Sequence, residues 1–318
     1  KNNFHNYNWF GLMVWIIIVG KHLFLKYFSF SVKKFSRKVI LYFVSFLKCK
    51  DRTPFLVLLI STAAAELQHR KAIRESWASA AAVPGADIVR LFMLGSDPRG
   101  DKGDVLLRES EQYHDIIQQD FLDTYNNLTL KTLMGMSWVA TYCSGTRFAM
   151  KTDSDVFVNT MHLIEKAPQA SPASHRELFH RRRIPRKQIP PFLFRNWLRV
   201  FWRLAAKIVD ASLMIKFIHL ENVYVGFCLN AKGVEIAPSP KSLFNIHKVP
   251  FSPCAYNELI TSHHIEPHEH ILHWETLQEK KHTCQERKGR DCPSVPSTGE
   301  ALPQILCPAL SPPVQGRL

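Results

Sequence analysis

The sequence alternates short apolar runs with longer stretches of mixed polarity. The apolar runs occupy residues 54–61, 88–95 and 148–158; the first two are short and continuous with no helical period, and the third is an apolar strand that opens onto polar residues. The stretch that begins with Arg70–Trp77 and the one that continues through Trp138 are helical in character. Apolar strands that are separated by helices are typical of a parallel sheet that is buried on both faces. We therefore predict an α/β fold with a mostly parallel central sheet.

Two aspartates, Asp153 and Asp155, lie in the third apolar run. Side chains two residues apart on an extended segment project in the same direction, so both carboxylates can face one ligand. Such oxygens suit Mg²⁺ or Mn²⁺, and either metal neutralises a diphosphate leaving group. An Asp-x-Asp triplet alone is a weak signal, since most such triplets are solvated loop carboxylates. The neighbouring segments strengthen the functional interpretation.

In their order along the chain, these segments resemble the β-1,3-galactosyltransferases and the related β-1,3-N-acetylglucosaminyltransferases. The similarity runs from Cys49 to about Val158, resumes near Leu204 and ends near Leu277. It implies a GT-A-like catalytic domain, UDP-galactose as donor, Mn²⁺ as cofactor and inversion at the anomeric carbon. It also implies that the chain is a hexosyltransferase, which moves galactose in β-1,3 linkage to an N-acetylglucosamine-type acceptor on glycoproteins or glycolipids.

The resemblance implies roles for individual residues. Asp155 and His263 correspond to metal ligands, and Asp153 lies nearer the nucleotide or its ribose. Three basic residues would meet phosphate or uracil in the donor pocket: Arg70, Arg74 and Lys131. Without the resemblance, the histidine is interpreted as a solvated surface group and the basic residues as solvated helix faces.

The position of the general base departs from the family pattern. The family places this base, which removes the acceptor hydroxyl proton, at the second acid of Glu-Asp-Val-Tyr-Val-Gly. Residues 221–226 read Glu-Asn-Val-Tyr-Val-Gly instead. Because an amide cannot accept the proton, Asn222 forfeits a rate factor of about 10²–10⁴ unless Glu221 or water substitutes. The alternative function is a catalytically inactive relative, or a decayed-gene product, that at most binds UDP-sugar or a partner transferase.

Residues 168–203 are a second departure. The family's acceptor-side block, Tyr-Pro-Pro-Phe-Cys-Ser-Gly-Thr-Gly-Tyr, is missing, and residues 190–202 stand in its place. Back-translation of residues 193–202 with a shift of one nucleotide permits Cys-Ser-Gly-Thr-Gly-Tyr-Val-Phe-Ser-Gly, which is the family's own block. We therefore predict that residues 168–203 are out of frame or disordered, with the frame restored near Leu204.

The net charge of +14 is concentrated in two segments. Residues 1–52 carry ten basic side chains against one acidic, and residues 175–203 carry nine against one. The remaining residues have a slight excess of acidic charge. The basic composition therefore does not indicate a phosphate-binding groove, and we expect no nucleic-acid partner.

The composition of residues 1–48 indicates a membrane anchor. Residues 9–19 are strongly apolar but shorter than the roughly 20 residues needed to span a bilayer. Residues 10–32 form an anchor if the charged residues among them lie near an interface. We expect residues 1–48 to be an uncleaved signal-anchor and stem of a single-pass type II Golgi membrane protein. Translated upstream sequence is the alternative, and the missing initiator Met is typical of a fragment.

The rest of the chain is expected to lie in the Golgi lumen. We assign residues 49–290 to the glycosyltransferase domain and residues 291–318 to a disordered tail. Seven cysteines fit an oxidising compartment without making a disulfide-dominated scaffold. Four of them occupy family-like positions: Cys49, Cys143, Cys228 and Cys254. Asn127 begins an Asn-Leu-Thr sequon, so we predict N-glycosylation there.

Overall fold

The structure, a computed structural model, describes residues 48–97, 103–166, 198–200, 202–234 and 243–290. Within these residues there are seven strands: β1 (Leu56–Ser61), β2 (Ile88–Ser96), β3 (Ile116–Leu122), β4 (Phe148–Asp153), β5 (Phe157–Val158), β6 (Leu198–Val200) and β7 (Thr261–Ser262). Five of them form one sheet in the order β3-β2-β1-β4-β6. The first four strands of this sheet are parallel, β6 is antiparallel to β4, and β5 pairs with β7 separately.

Helices connect and cover these strands. They are α1 (Leu67–Glu75), α2 (Gly103–Tyr113), α3 (Leu128–Tyr142), α4 (Thr160–Lys166), α5 (Trp202–Ser212), α6 (Glu221–Ala231), α7 (Pro253–Glu258) and α8 (Pro267–Arg290). A short 3₁₀ helix, Tyr125–Asn127, precedes α3. The best-defined cap is at α7, where the hydroxyl of Ser252 accepts the backbone N–H of Ala255 and a proline follows at the first helical position.

The sheet has an apolar core on each face. Alternate residues of β1 divide between the two cores, with Leu58 on one side and Leu59 on the other. The first core contains Trp77 and residues of α8, and the second contains residues of α3, α5 and α6. Because both faces are covered, β1 is apolar up to its last residue and β2 is mostly apolar. The predicted α/β fold with a parallel central sheet is confirmed.

The three predicted strands correspond to β1, β2 and β4, whereas β3 was not separated from its neighbouring helices. β3 lies at the sheet edge and contains Gln118, Gln119 and Asp120, so it lacks a continuous apolar run. β6 and the first two residues of α5 lie in the segment predicted to be out of frame or disordered. In this part, Val200 pairs with Ala149 of β4. Residues 168–197 lie outside the described residues, and the frame shift stays a prediction.

Residues 1–47 and 291–318 also lie outside the described part, together with the predicted anchor and tail. In the part that is described, no helix combines the length and the apolar character needed to cross a bilayer. Cys49, which begins the predicted domain, forms a disulfide with Cys143 at the end of α3. Cys254 is also disulfide-bonded, whereas Cys228 is a buried free thiol. The Cys49–Cys143 bond fixes the start of the domain against the sheet.

We predict that Gly95→Ala destabilises the fold by about 1–3 kcal/mol. A Cβ atom at this position of β2 would lie 2.5 Å from the backbone oxygen of Phe121 and 2.7 Å from a carbon of its ring. Urea unfolding measures the change in the free energy of unfolding. Gly103→Ala is the control, because a Cβ atom there meets nothing within 4 Å. Equal stabilities for the two variants would contradict the prediction.

Candidate functional site

The candidate site lies at the carboxyl edge of the parallel strands, between β1 and β4. The chain builds the sheet outward from β1 to β3 on one side and then returns to add β4 on the other, so the strand order reverses at this point. Ligands of open α/β sheets bind in the crevice at such a switch point. Ser61, the last residue of β1, is in register with Asp153, the last residue of β4. The Asp-x-Asp residues therefore lie where the topology favours a binding site.

The turn between the two aspartates is held through all the polar groups of Ser154. Its N–H donates to the Ser61 oxygen at 3.0 Å, and its hydroxyl donates to a carboxylate oxygen of Glu66 at 2.9 Å. Its carbonyl oxygen lies 3.0 Å from Nε2 of His270. Nδ1 of His270 accepts the indole N–H of Trp77 at 3.0 Å, so Nε2 carries the hydrogen that is donated to Ser154. The turn is thus fixed from β1, α1 and α8.

Asp153 shares a buried ammonium group with Glu221. Nζ of Lys151 lies 2.8 Å from Oδ1 of Asp153 and 2.9 Å from Oε1 of Glu221, and the Lys151 side chain is 3% exposed. Burial opposes the charge of this lysine, but the two carboxylates outweigh it and raise its pKa. The structure therefore brings the predicted nucleotide-binding aspartate together with the predicted catalytic glutamate. Asn222 is the next residue of the same first turn of α6 and is half-buried.

Asp155 is the more exposed of the two aspartates. Its side chain is 44% exposed, and Oδ2 lies 3.5 Å from Nδ1 of His264. Burial and the charge of Asp153 raise its pKa. Its backbone oxygen accepts the N–H of Ile265, which joins the turn to the segment that contains His263.

His263 is buried, so the interpretation as a solvated surface group is not what the structure shows. Burial lowers its pKa to about 4, although the charge of Asp153 opposes the shift. The imidazole is therefore neutral at pH 7, which is the form that ligates metals. Among the described residues, no three His, Cys, Asp or Glu side chains already form a metal-binding group. The donor atoms of Asp153, Asp155 and His263, which are carboxylate oxygens and an imidazole nitrogen, are of the types that bind divalent cations.

Lys131 holds the carboxyl edge together from the helix side. Its Nζ donates to the Thr62 oxygen at 2.8 Å and to Oδ1 of Asp123 at 2.7 Å. Oδ2 of Asp123 accepts the N–H of Gly95 at 2.8 Å. The residues that follow β1 and β3 and the end of β2 are thus tied to one another. Lys131 lies at the predicted edge, but its ammonium group is buried and engaged with the protein.

Arg70 and Arg74 are also buried, and both are paired with carboxylates of the protein. Arg70 forms a two-point interaction with Glu109 and donates to the backbone oxygens of Ala63 and Ala64. Arg74 binds Glu109 and Asp115, and its guanidinium group stacks on the ring of Tyr113 at 4.0 Å.

Both guanidinium groups are thus held by protein acceptors. Asp115 directly precedes β3, so Arg74 lies toward the amino end of that strand. Arg70 contacts the loop that follows β1. The donor contact that the resemblance implies for these two arginines stays a prediction.

Several residues that shape the site were not among the predicted site residues. Lys151 could have been found, since a lysine within a buried strand needs a carboxylate partner. Glu66, Trp77 and His270 had no such signal, because the contacts that matter join residues 88 to 193 positions apart in the chain. Such long-range pairs do not follow from local patterns.

The predicted glycosylation site lies in the turn before α3. Nδ2 of Asn127 donates to the Leu122 oxygen at 2.7 Å. The hydroxyl of Thr129, the third residue of the sequon, is buried and donates to the Ile218 oxygen. In the folded domain the sequon is thus engaged in local contacts, and glycosylation of Asn127 stays a prediction.

The buried His270 predicts a dependence of stability on pH. Burial lowers its pKa from 6.5 to about 4, so between these values the unfolded chain binds a proton that the folded domain excludes. Stability from this residue is present above 6.5 and is lost as the pH falls toward 4. Glutamine retains an acceptor and a donor without titrating. Between about pH 7 and pH 4, we expect the free energy of unfolding of His270→Gln to fall by about 3 kcal/mol less than that of the wild type.

Urea unfolding at several pH values measures this difference. His268→Gln, on the exposed side of the same helix, is the matched control and should follow the wild type. Parallel curves for His270→Gln and the wild type would show that His270 is not the group responsible.

Comparison with known proteins identifies the family of this chain. The sequence profile of the galactosyltransferase family matches residues 68–189. Beta-1,3-galactosyltransferase 2 from Mus musculus is 41% identical over 271 residues, which cover 76% of this chain and 64% of that protein. Beta-1,3-galactosyltransferase 1 from Mus musculus is 40% identical over 254 residues, with coverages of 74% and 77%. The chain thus spans slightly less than two thirds of the first relative and more of the second, and it belongs to the galactosyltransferase family.

Proposed function

We propose that this chain binds UDP-galactose and a divalent metal at the carboxyl edge between β1 and β4. The observation that carries the proposal is the Asp153–Asp155 turn, which lies at the switch point of a parallel sheet in a galactosyltransferase-family chain. The reaction we assign to the site is transfer of galactose in β-1,3 linkage to an N-acetylglucosamine-type acceptor. The names of the two relatives and the GT-A-like arrangement of the sheet support this assignment.

The metal that we propose is Mn²⁺. Asp155 and His263 would hold it, while Asp153 would lie near the ribose or the diphosphate. When bound, the metal neutralises the diphosphate and favours the departure of UDP. The chain itself fixes the geometry, because Ser154 anchors the turn and Lys151 anchors Asp153.

Proton removal from the acceptor is the step for which the chain is poorly equipped. The amide of Asn222 cannot act as a general base. The carboxylate of Glu221 is the remaining acid at this position, but it already forms an ion pair with the buried Lys151. We therefore infer that donor binding is retained and that transfer is slow. The inverting course of the reaction is assigned through the family pattern.

A second candidate function is a non-catalytic relative that binds UDP-sugar without transferring it. The observation that favours it is Asn222 at the base position, next to a glutamate that is already paired with a lysine. The two candidates share the donor site and differ on the acceptor side. Binding and transfer therefore have to be measured separately.

We propose the Golgi lumen as the location, with residues 1–48 as a type II membrane anchor and stem. The Cys49–Cys143 disulfide supports an oxidising compartment, since such bonds are rare in the cytosol. The partners that follow from this location are the UDP-sugar donor, a glycan acceptor on glycoproteins or glycolipids, and the membrane.

We predict that Asp155→Asn weakens the binding of UDP in the presence of Mn²⁺ by at least about tenfold, because even outer-shell partners of a metal contribute that much. Isothermal titration with and without Mn²⁺ measures the affinity. Asp104→Asn, an exposed aspartate in the first turn of α2, is the control and should bind as the wild type does. An Asp155→Asn affinity equal to that of the control would exclude this aspartate as a ligand.

We predict that Asn222→Asp raises galactose transfer to an N-acetylglucosamine acceptor by about 10²–10⁴-fold, the usual contribution of a general base. The affinity for UDP with Mn²⁺ should stay within about twofold, since the change does not touch the donor contacts. Asn230→Asp, on the exposed part of α6, is the matched control and should leave transfer unchanged. If transfer does not rise while UDP binding is intact, the non-catalytic relative is the better description.

A further inference from the structure

We propose that Glu66 is a positioning residue of the donor site, which sets the Asp153–Asp155 turn relative to the loop after β1. One oxygen of its carboxylate, Oε2, accepts three hydrogen bonds. They come from the Thr62 hydroxyl at 2.9 Å, the Ala63 N–H at 2.8 Å and the Ser154 hydroxyl at 2.9 Å. The inference rests on the proposed UDP-sugar function of the same site.

These contacts join two segments that are 88 residues apart. Thr62 and Ala63 follow β1, and Ser154 lies between the two aspartates that follow β4. A single side chain thus spans the switch point from one strand to the next. A hydrogen bond to a charged acceptor is stronger than one between neutral groups, so the carboxylate is well suited to this bridge.

The Glu66–Ser154 hydrogen bond restrains the two aspartates because the backbone of Ser154 is also held on both sides. Its N–H is bound to Ser61 and its carbonyl oxygen to His270, so the Glu66 contact is the third restraint on one residue. The backbone of Asp153 and Asp155 then follows from the position of Ser154.

The loop after β1 is in turn supported by Arg70. Nη1 of this arginine donates to the Ala63 oxygen at 2.5 Å and lies 3.4 Å from the Thr62 hydroxyl. Arg70 itself is anchored by Glu109. A continuous chain of buried polar contacts therefore runs from Glu109 through Arg70 and the loop to Glu66, and from there to the Asp-x-Asp turn.

A purely structural role for Glu66 is the competing explanation. Glu66 is the N-cap residue of α1, and a negative charge at the start of a helix stabilises that helix. This explanation predicts that substitution at Glu66 affects stability, and that Ser154→Ala, which leaves α1 untouched, has no related effect. The positioning role predicts that the two residues act on donor binding as one unit.

A double-mutant cycle with Glu66→Ala and Ser154→Ala tests this coupling. The affinity for UDP in the presence of Mn²⁺ is measured by isothermal titration, and thermal unfolding is recorded for each variant. We expect each single substitution to weaken binding about tenfold, as for loss of a hydrogen bond to a charged group, and the double variant to be at most about twofold weaker than either. Glu66→Gln keeps an acceptor oxygen and should recover most of the affinity. Glu75→Ala, at an exposed position of the same helix, should bind as the wild type does.

Two results would overturn the proposal. One is a double variant that is weaker by about the product of the single effects, roughly a hundredfold, since independent sites add in free energy. The other is unchanged affinity in the single variants with a lower unfolding temperature in Glu66→Ala alone.

Hydrogen exchange separates this inference from the proposed function. If the wild type does not bind UDP, the proposed function fails. The position of the turn is then still tested by the exchange rate of the Ser154 amide, which donates to Ser61. Faster exchange of this amide in both single variants, but not in Glu75→Ala, supports the bridge, and unchanged exchange overturns it.

Discussion

A buried lysine links the Asp-x-Asp turn to the first turn of α6. Lys151 lies within a central strand, where an unpaired ammonium group is strongly unfavourable. Asp153 and Glu221 supply its two partners, one from the end of the same strand and one from the first turn of α6. Loss of either partner leaves a poorly compensated buried charge. The start of α6 is therefore linked to the Asp-x-Asp turn. Residue 222, which follows Glu221 in α6, is held near this turn by the same ion pair.

The basic residues near this edge act within the protein. Lys151, Lys131 and Arg70 are each paired with carboxylates or backbone oxygens of the domain. The groups that face the proposed ligand are thus dominated by the carboxylates of Asp153 and Asp155. A diphosphate meets repulsion from such a surface unless a divalent cation lies between them. The proposed dependence on a metal follows from this arrangement of charges as well as from the family pattern.

The fold was predictable from the sequence where a strand is buried on both faces, as β1, β2 and β4 are. β3 was not predicted, because it is an edge strand with polar residues and lacks the apolar signal, and β6 was not predicted, because it lies in the segment taken to be out of frame or disordered. In the site, the Asp-x-Asp turn and its position at the end of a strand followed from the sequence. The ion pairs of Arg70 and Arg74 could not be predicted, because a sequence shows a charge without its partner, and Glu109 and Asp115 lie about 40 positions away.

The substitution at the base position is of a kind that the fold can tolerate. Asn222 is half-buried in the first turn of α6, whereas the ion pairs that hold this turn belong to Glu221. Replacing an aspartate by an amide of the same shape at residue 222 removes a proton acceptor without breaking the Lys151 interaction. The donor site depends on Asp153, Ser154 and Lys151, which retain their contacts. The proposed donor binding and the stability of this edge therefore do not depend on a carboxylate at residue 222.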